Sequence, residues 1–281
     1  MLAPLLSLVS AAAWGTADFL GGLSTKRLSV LTVGAVSQAA GLIVMALVVA
    51  AIGEPPPGGR AIGLGLAAGV CGAVGLAALY RALSVGTMGI IAPTAALSGV
   101  VPVAFGLATG DRPSGVQLIG IGCALVGVMA TARARDPAGR GRGRVAAGVG
   151  LALVAALTLG GLVLLLDRAA RVDAAWASLF LRVGALALTG AAVFVVRPSF
   201  TLRRGELPRL VGLGVLDNAA NLTFALAAAA GGLLSLNAVL ASLYPVATVV
   251  LARAVLHERM SVVQRVGVAL ALIGIGLIAA G

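Results

Sequence analysis

Apolar residues fill most of the chain in long runs, and short polar segments interrupt these runs at nearly regular intervals. A helix needs about 20 apolar residues to cross the hydrocarbon core of a bilayer, so each run is long enough for one crossing. The pattern predicts an all-α integral membrane protein with ten transmembrane helices, over residues 3–22, 29–52, 60–80, 87–109, 115–132, 145–166, 174–196, 208–229, 232–254 and 262–280.

Most boundaries between these spans carry charge, proline or both. The segments Lys26-Arg27, 54–60 and Asp111-Arg112-Pro113 are of this kind. The boundary at Gly231-Gly232 has no charge, and we predict a very tight turn there because 208–254 is far too long for one span.

Composition supports lipid as the surrounding solvent. Hydrophobic residues make up 60% of the chain, charged residues make up 10%, and the mean hydropathy is +1.11. A soluble domain carries about 25% charged residues, so this chain could not wet the surface of a soluble fold. The net charge of +11 comes from basic residues that, apart from Arg182, lie in or beside the gaps between apolar runs. That placement indicates membrane topology and argues against nucleic acid as a partner.

The basic residues also predict an orientation. Gaps that follow odd-numbered helices hold 15 of the 20 Lys and Arg residues, whereas gaps that follow even-numbered helices hold only Arg60, Arg112, Arg168 and Arg171. Because short cytoplasmic loops are enriched in Lys and Arg, this bias places both termini outside the cell.

The junction of helices four and five is repeated at the junction of helices nine and ten. The first copy reads Asp111-Arg-x-Ser-x-Val-Gln117-x-x-Gly120, and the second reads Glu258-Arg-x-Ser-x-Val-Gln264-x-x-Gly267. Chance similarity between apolar helices would not reproduce the polar positions, so the chain is predicted to be two related halves, 1–132 and 145–281, joined by a basic linker at 133–144. With five helices in each half, the second half must enter the membrane from the opposite side, which makes the repeats inverted.

The same residues resemble the EamA-type family of the drug/metabolite transporter superfamily. The resemblance rests on Trp14-Gly15, Tyr80-Arg81-Ala82-Leu83, Pro102, the two acid-Arg-x-Ser motifs and Leu256-His257-Glu258-Arg259, and it spans essentially the whole chain. It implies a ten-helix fold with a central cavity formed largely by helices one, three, four, six, eight and nine. It also implies export or exchange of small metabolites such as amino acids. Many members of the family begin with basic residues and have their N-terminus inside, so the resemblance implies the orientation opposite to the one that the charge bias favours. Asp18 also departs from the family pattern, which has a neutral polar residue at that place.

Ionisable residues inside a membrane span cost roughly 2.5–3.5 kcal/mol on insertion scales, so each is a candidate functional residue. Three fall in the interior of the predicted spans, away from the span ends: Asp18, Arg182 and Asp217. Asp18 shares a helix face with Trp14 and is interpreted as a proton-coupling or amine-binding carboxylate, or alternatively as an acid at the membrane interface. Arg182 is interpreted either as paired with an acid, for which Asp217 is the candidate, or as pointing into water.

Polar residues near these three complete the predicted substrate cavity. Asp217, Asn218 and Asn221 lie within about one turn of helix eight, where they would either bind polar groups of a substrate or link neighbouring helices. The further cavity candidates are Trp14, Tyr80, Thr94, Ser98, Asn237 and Tyr244. The predicted structural or gating residues are Pro93, Pro102 and Pro245 as helix kinks, and Asp111 and Glu258 as caps or loop-end ion pairs.

These patterns together predict a secondary transporter of small polar or amphipathic metabolites, with alternating access and proton coupling. A flippase for a lipid-linked substrate is the alternative within transport, and a non-transporting scaffold is a third reading. The single histidine, His257, lacks the second ligand of an H-E-x-x-H motif, and the chain contains no P-loop, so neither an intramembrane metalloprotease nor an ATP-driven pump is expected. We expect no cofactor or metal, a multi-pass location in a bacterial inner membrane, and a monomer or homodimer.

Overall fold

The computed structural model describes residues 2–25, 27–85, 95–132, 142–198, 202, 205–256 and 261–280. Across these residues the regular structure is helical throughout. The helices are α1 (Leu2–Thr25), α2 (Val30–Ile52), α3 (Gly59–Val85), α4 (Val100–Thr109), α5 (Gly115–Ala132), α6 (Arg142–Ala170), α7 (Ala174–Val196), α8 (Glu206–Ala229), α9 (Leu234–Ala241), α10 (Tyr244–Leu256) and α11 (Val262–Ala280). A short 3-10 helix, Ala96–Gly99, leads directly into α4.

The predicted count of ten spans is confirmed. In the described part of the chain, six helices are long and apolar enough to cross a membrane, namely α1, α2, α3, α6, α7 and α8. Four shorter apolar helical stretches, at Leu97–Thr109, Gly115–Ala130, Leu234–Thr248 and Val262–Ile278, occupy the places of the fourth, fifth, ninth and tenth spans.

The ninth span is interrupted, where the sequence predicted one kinked helix. The helix α9 ends at Ala241, Ser242 and Leu243 form a turn, and α10 starts at Tyr244. Pro245 explains the break, because a proline ring collides with the carbonyl group four residues earlier, here that of Ala241. The predicted tight turn between α8 and α9 is also confirmed, with Gly231 in the left-handed region at φ +81°.

The repeated Ser and Gln positions form the same local structure in both halves. The Ser114 hydroxyl accepts a hydrogen bond from the Gln117 amide at 3.1 Å, and the Gln117 side chain accepts one from the Ser114 amide at 2.9 Å. Ser261 and Gln264 exchange the same two bonds at 3.2 and 3.0 Å. Each pair is a capping box that satisfies N–H groups at the start of α5 or α11.

The two halves pack about a pseudo-two-fold axis, as inverted repeats require. Gly120 of α5 lies against Gly274 of α11, while Gly127 lies against Gly267, so the two helices run antiparallel and exchange equivalent positions. The other contacts between the halves also occur in symmetry-related pairs. The contact of α3 with α6 corresponds to that of α8 with α1, and the contact of α3 with α7 corresponds to that of α8 with α2. The predicted architecture of two inverted five-helix repeats is confirmed.

Glycines allow the central helices to approach at backbone distance. A Cβ atom at Gly184 of α7 would overlap the Leu66 carbonyl of α3, and one at Gly69 of α3 would overlap the Leu181 carbonyl of α7. On the related side, a Cβ atom at Gly214 of α8 would overlap the Ser37 carbonyl of α2. Small residues of this kind drive packing in lipid, where no hydrophobic effect holds helices together.

Candidate functional site

A cavity of about 100 Å³ lies where the two halves meet. Both halves contribute to its wall, which is mainly apolar and carries a cluster of polar side chains. Its polar and aromatic lining residues are Trp14 and Asp18 of α1, Gln38 of α2, Ser98 of the 3-10 helix, Arg182 of α7, Asp217 and Asn221 of α8, and Ser242 and Tyr244 at the break in the ninth span. The cavity thus includes residues from α2 and α7, which the family resemblance did not implicate.

The helix α1 places Trp14 and Asp18 on the cavity wall one turn apart. It can do so because Gly15 brings its backbone against α10, where a Cβ atom would lie 2.5 Å from the carbonyl oxygen of Tyr244. The Thr248 hydroxyl donates a hydrogen bond to the Gly15 carbonyl at 3.0 Å and fixes this approach. The Trp14 ring packs on Phe224 of α8, with ring centroids 6.0 Å apart.

Arg182 is the centre of the polar cluster. Its side chain is 1% exposed, and its Nη1 atom donates hydrogen bonds to Asp217 Oδ2 at 2.5 Å and to Gln38 Oε1 at 2.8 Å. Its Nε atom donates to Asn218 Oδ1 at 3.1 Å. The predicted pairing of Arg182 with Asp217 is confirmed. Together with the bonds to Gln38 and Asn218, it links the three helices α2, α7 and α8.

Two buried polar atoms of the cluster have no hydrogen-bond partner among the described residues. They are Arg182 Nη2, a donor, and Asn221 Oδ1, an acceptor. The Asn221 amide nitrogen, in contrast, donates to the Asp217 carbonyl at 2.6 Å. Buried polar atoms are nearly always paired in folded proteins, so an open donor and an open acceptor in the wall of one cavity indicate a place for a polar ligand.

The cavity holds two carboxylates against one guanidinium. Asp18 and Asp217 are close enough for their charges to repel each other, and Asp217 alone is paired with Arg182. The hydroxyl of Tyr244 lies within hydrogen-bonding reach of Ser98, next to Asp18. With both acids ionised the cluster has a net negative charge, which a proton or a cationic group of a ligand would neutralise.

Two residues predicted to line the cavity lie elsewhere. Asn218 is 2% exposed between α2, α7 and α8, where it bonds Arg182 and approaches the Met45 sulfur at 3.7 Å. Asn237 packs against Gly232 at the tight turn and donates to the Ala227 carbonyl at 3.4 Å. Side-chain spacing along a helix does not reveal which neighbours the helix will meet.

Of the remaining predicted residues, one lines the cavity, one caps a helix, and the others lie outside the described residues. Pro102 lines the cavity in the first turn of α4. Asp111 accepts a hydrogen bond from the Ser235 amide at 2.7 Å and so caps the start of α9, in the other half of the chain. Pro93, Thr94, Glu258 and the side chain of Tyr80 lie outside the described residues, as do positions 133–141 of the predicted linker.

Sequence reasoning missed two polar residues. Gln38 is a lone amide in the middle of the apolar α2, and its position at mid-span was the available signal. Asp167 was excluded because the sixth span was ended at residue 166, whereas α6 continues to Ala170. Asp167 is fully buried and pairs with Arg171 at 2.8 Å, and Arg171 donates in turn to the Gly232 carbonyl at 3.0 Å. That hydrogen bond to Asp167 raises the pKa of Arg171 above its usual value.

Inverted five-helix repeats that enclose a polar cavity are a recurrent architecture of membrane transporters. The model of the EamA-like transporter family matches residues 1–133 and again residues 146–280. The chain belongs to the EamA-like transporter family and is a multi-pass membrane transporter.

Comparison of structures agrees with this assignment at the level of fold. A solved crystal structure of a protein superposes with a TM-score of 0.82, covering 99% of this chain and 96% of that chain at 20% sequence identity. At that identity the likeness shows the fold alone. No curated protein sequence matches this chain.

Proposed function

We propose that the protein is a secondary transporter that carries a small polar or amphipathic metabolite, such as an amino acid, through the cavity between its halves. The single observation that supports this most is the cluster of Asp18, Asp217 and Arg182 in the cavity wall, where Arg182 is buried and the two aspartates are half-buried. A membrane protein with no polar ligand would have little reason to bear the insertion cost of three charged side chains, which is roughly 2.5–3.5 kcal/mol each.

The polar atoms of the cluster that lack a hydrogen-bond partner are complementary to a zwitterion. Arg182 Nη2 is a charged donor without a partner among the described residues, and it would bind a carboxylate. Asn221 Oδ1 and the two aspartates would accept hydrogen bonds from an amine. The rings of Trp14 and Tyr244 add apolar wall for a side chain, so an amino acid presents complementary groups to each part of the site.

We assign the coupling of substrate transport to proton movement to Asp18. Unlike Asp217, it forms no ion pair among the described residues, so it is free to exchange a proton or the amine of a substrate as the cavity changes sides. A carboxylate that must be neutralised before the site moves would link export or exchange of the substrate to protons. The proposed setting is a bacterial inner membrane, with the chain acting as a monomer or homodimer.

The test of this proposal is uptake of a labelled amino-acid panel into proteoliposomes, with and without an imposed pH gradient. We expect the wild type to accumulate at least one amino acid when the gradient is present. Asp18→Asn is expected to lose accumulation completely, because its amide cannot carry a proton. Glu54→Gln is the matched control, since Glu54 is an exposed acid in the loop between α2 and α3.

Two results would contradict different parts of this proposal. If Asp18→Asn accumulates substrate with the pH dependence of the wild type, the role in coupling is wrong. If the wild type moves no amino acid at all, the proposed substrate class is wrong, and an amphipathic or lipid-linked substrate becomes the next to measure.

A further inference from the structure

An apolar groove with two arginines lies at one end of the α3–α6 helix pair, away from the central cavity. Its volume is about 620 Å³. It is lined by Gly58, by Gly59, Arg60, Ala61 and Leu64 at the start of α3, by Phe105 of α4, by Leu164, Leu165 and Arg168 of α6, and by Val172. None of these residues belongs to the polar cluster of the cavity.

Both arginines are at the same end of the helix pair because α3 and α6 are antiparallel. Gly72 faces Leu162 and Gly75 faces Leu159, so numbers that rise along one helix fall along the other. Arg60 lies in the first turn of α3 and Arg168 in the last turn of α6. Both are therefore at the level where a membrane span meets its loop, which is the level of lipid headgroups.

The two guanidinium groups are available for a ligand. Arg60 and Arg168 are exposed, and neither forms an ion pair with another described residue. The contact made by Arg168 is with the face of the Phe105 ring, 4.9 Å from its centroid, which holds the guanidinium at the mouth of the groove. Among the residues that the structure describes, the lining contains no acidic side chain that would compete for them.

We propose that this groove binds an acidic phospholipid, with the phosphate between Arg60 and Arg168 and an acyl chain along Leu64, Leu164 and Leu165. Arginine recognises phosphate through paired charge-assisted hydrogen bonds. The N-terminal end of α3, where the Ala61 amide donates to the Gly58 carbonyl at 3.0 Å, adds a favourable helix dipole at the same place. Basic pockets between transmembrane helices are a recurrent site for acidic headgroups.

Charge and shape together select this ligand class. A free phosphate would use the arginines but would leave the apolar lining empty. A zwitterionic lipid such as phosphatidylcholine also has a phosphate, but its trimethylammonium group would bring a positive charge close to two arginines. An acidic phospholipid satisfies both the basic mouth and the apolar interior, and the site does not depend on what the central cavity transports.

The experiment is native mass spectrometry of the purified full-length protein, titrated with dioleoylphosphatidylglycerol or dioleoylphosphatidylcholine. We expect a phosphatidylglycerol adduct on the wild type that the choline lipid does not match. Arg60→Gln/Arg168→Gln should weaken that adduct by roughly tenfold or more, since each surface arginine contributes about 1 kcal/mol to binding of an acidic lipid.

Two further variants make the result specific. Arg112→Gln/Arg209→Gln removes the same amount of charge from exposed arginines outside the groove and should keep the adduct. Leu64→Trp fills the groove while leaving both arginines in place, and it should lose the adduct. Equal binding by wild type and the Arg60/Arg168 variant, or equal loss in the Arg112/Arg209 control, would overturn the proposal. So would displacement of the lipid by inorganic phosphate at matched concentration, because it would show that the acyl chain contributes nothing.

Discussion

Replacing Arg182 with Met is expected to destabilise the folded protein by about 3 kcal/mol, because it leaves the half-buried Asp217 carboxylate and the buried Gln38 and Asn218 amides without their donor. In the native protein Arg182 donates hydrogen bonds to Asp217, Gln38 and Asn218, on two different helices. Without the guanidinium, all three acceptors lose a donor at once. The measurement is the free energy of unfolding in mixed micelles, followed by tryptophan fluorescence.

The double variant Arg182→Met/Asp217→Leu separates loss of the pair from loss of packing. Because it removes both charges, we expect it to recover much of the stability that Arg182→Met loses. The charge exchange Arg182→Asp/Asp217→Arg should likewise restore expression relative to either single change. Strictly additive effects of the two positions would mean that they do not interact, and would contradict the network.

Gly184→Val is expected to have the second largest effect, because it forces α3 and α7 apart. A Cβ atom at Gly184 would overlap the Leu66 carbonyl oxygen and lie 3.0 Å from the Leu66 Cα atom. Backbone atoms cannot move aside as a flexible side chain can, so the helices must separate. Overpacking of this kind costs about 1–3 kcal/mol or more. Separation would also displace Arg182, two residues away, and we therefore expect transport to fall with stability.

The same helix provides the control for this prediction. A Cβ atom at Gly190 finds no neighbour within 4 Å, although Gly190 is also in α7. Gly190→Val changes helix propensity by the same amount and should leave the thermal midpoint close to that of the wild type. If the two variants unfold at the same temperature, close packing at Gly184 does not hold the two helices together.

The architecture could be predicted from the sequence because its signals are local. Hydropathy gives span length directly, and the order of the spans follows from chain connectivity. The repeated Ser114/Gln117 and Ser261/Gln264 pairs marked the halves because each pair caps its own helix start, a structure that depends on four neighbouring residues. The break before Tyr244 was harder to place, since a proline in a membrane helix produces either a kink or an end.

The site could be predicted only in part because it depends on contacts between distant segments. Asp18, Arg182 and Asp217 could be selected because a charged residue inside a membrane span is costly. Arg182 could be paired with Asp217 because few acids lie within the spans. Nothing in the sequence indicates that Gln38, 144 residues from Arg182, completes the network. The same limit applies to Asn237, whose amide serves the turn between α8 and α9 and does not face the cavity.

Access of a reagent from each side of the membrane tests most directly whether the cavity between the halves is the transport path. Ser242→Cys places a thiol in the cavity wall, in a background where the native Cys71 and Cys123 are replaced by serine. Ser178→Cys is the control, because Ser178 is fully buried in helix packing outside the cavity. A membrane-impermeant maleimide is applied to either face of vesicles of known orientation. We predict labelling of the Ser242→Cys thiol from both faces and labelling of the Ser178→Cys thiol from neither. Labelling of Ser242→Cys from only one face, in a variant that still transports, would contradict alternating access through this cavity.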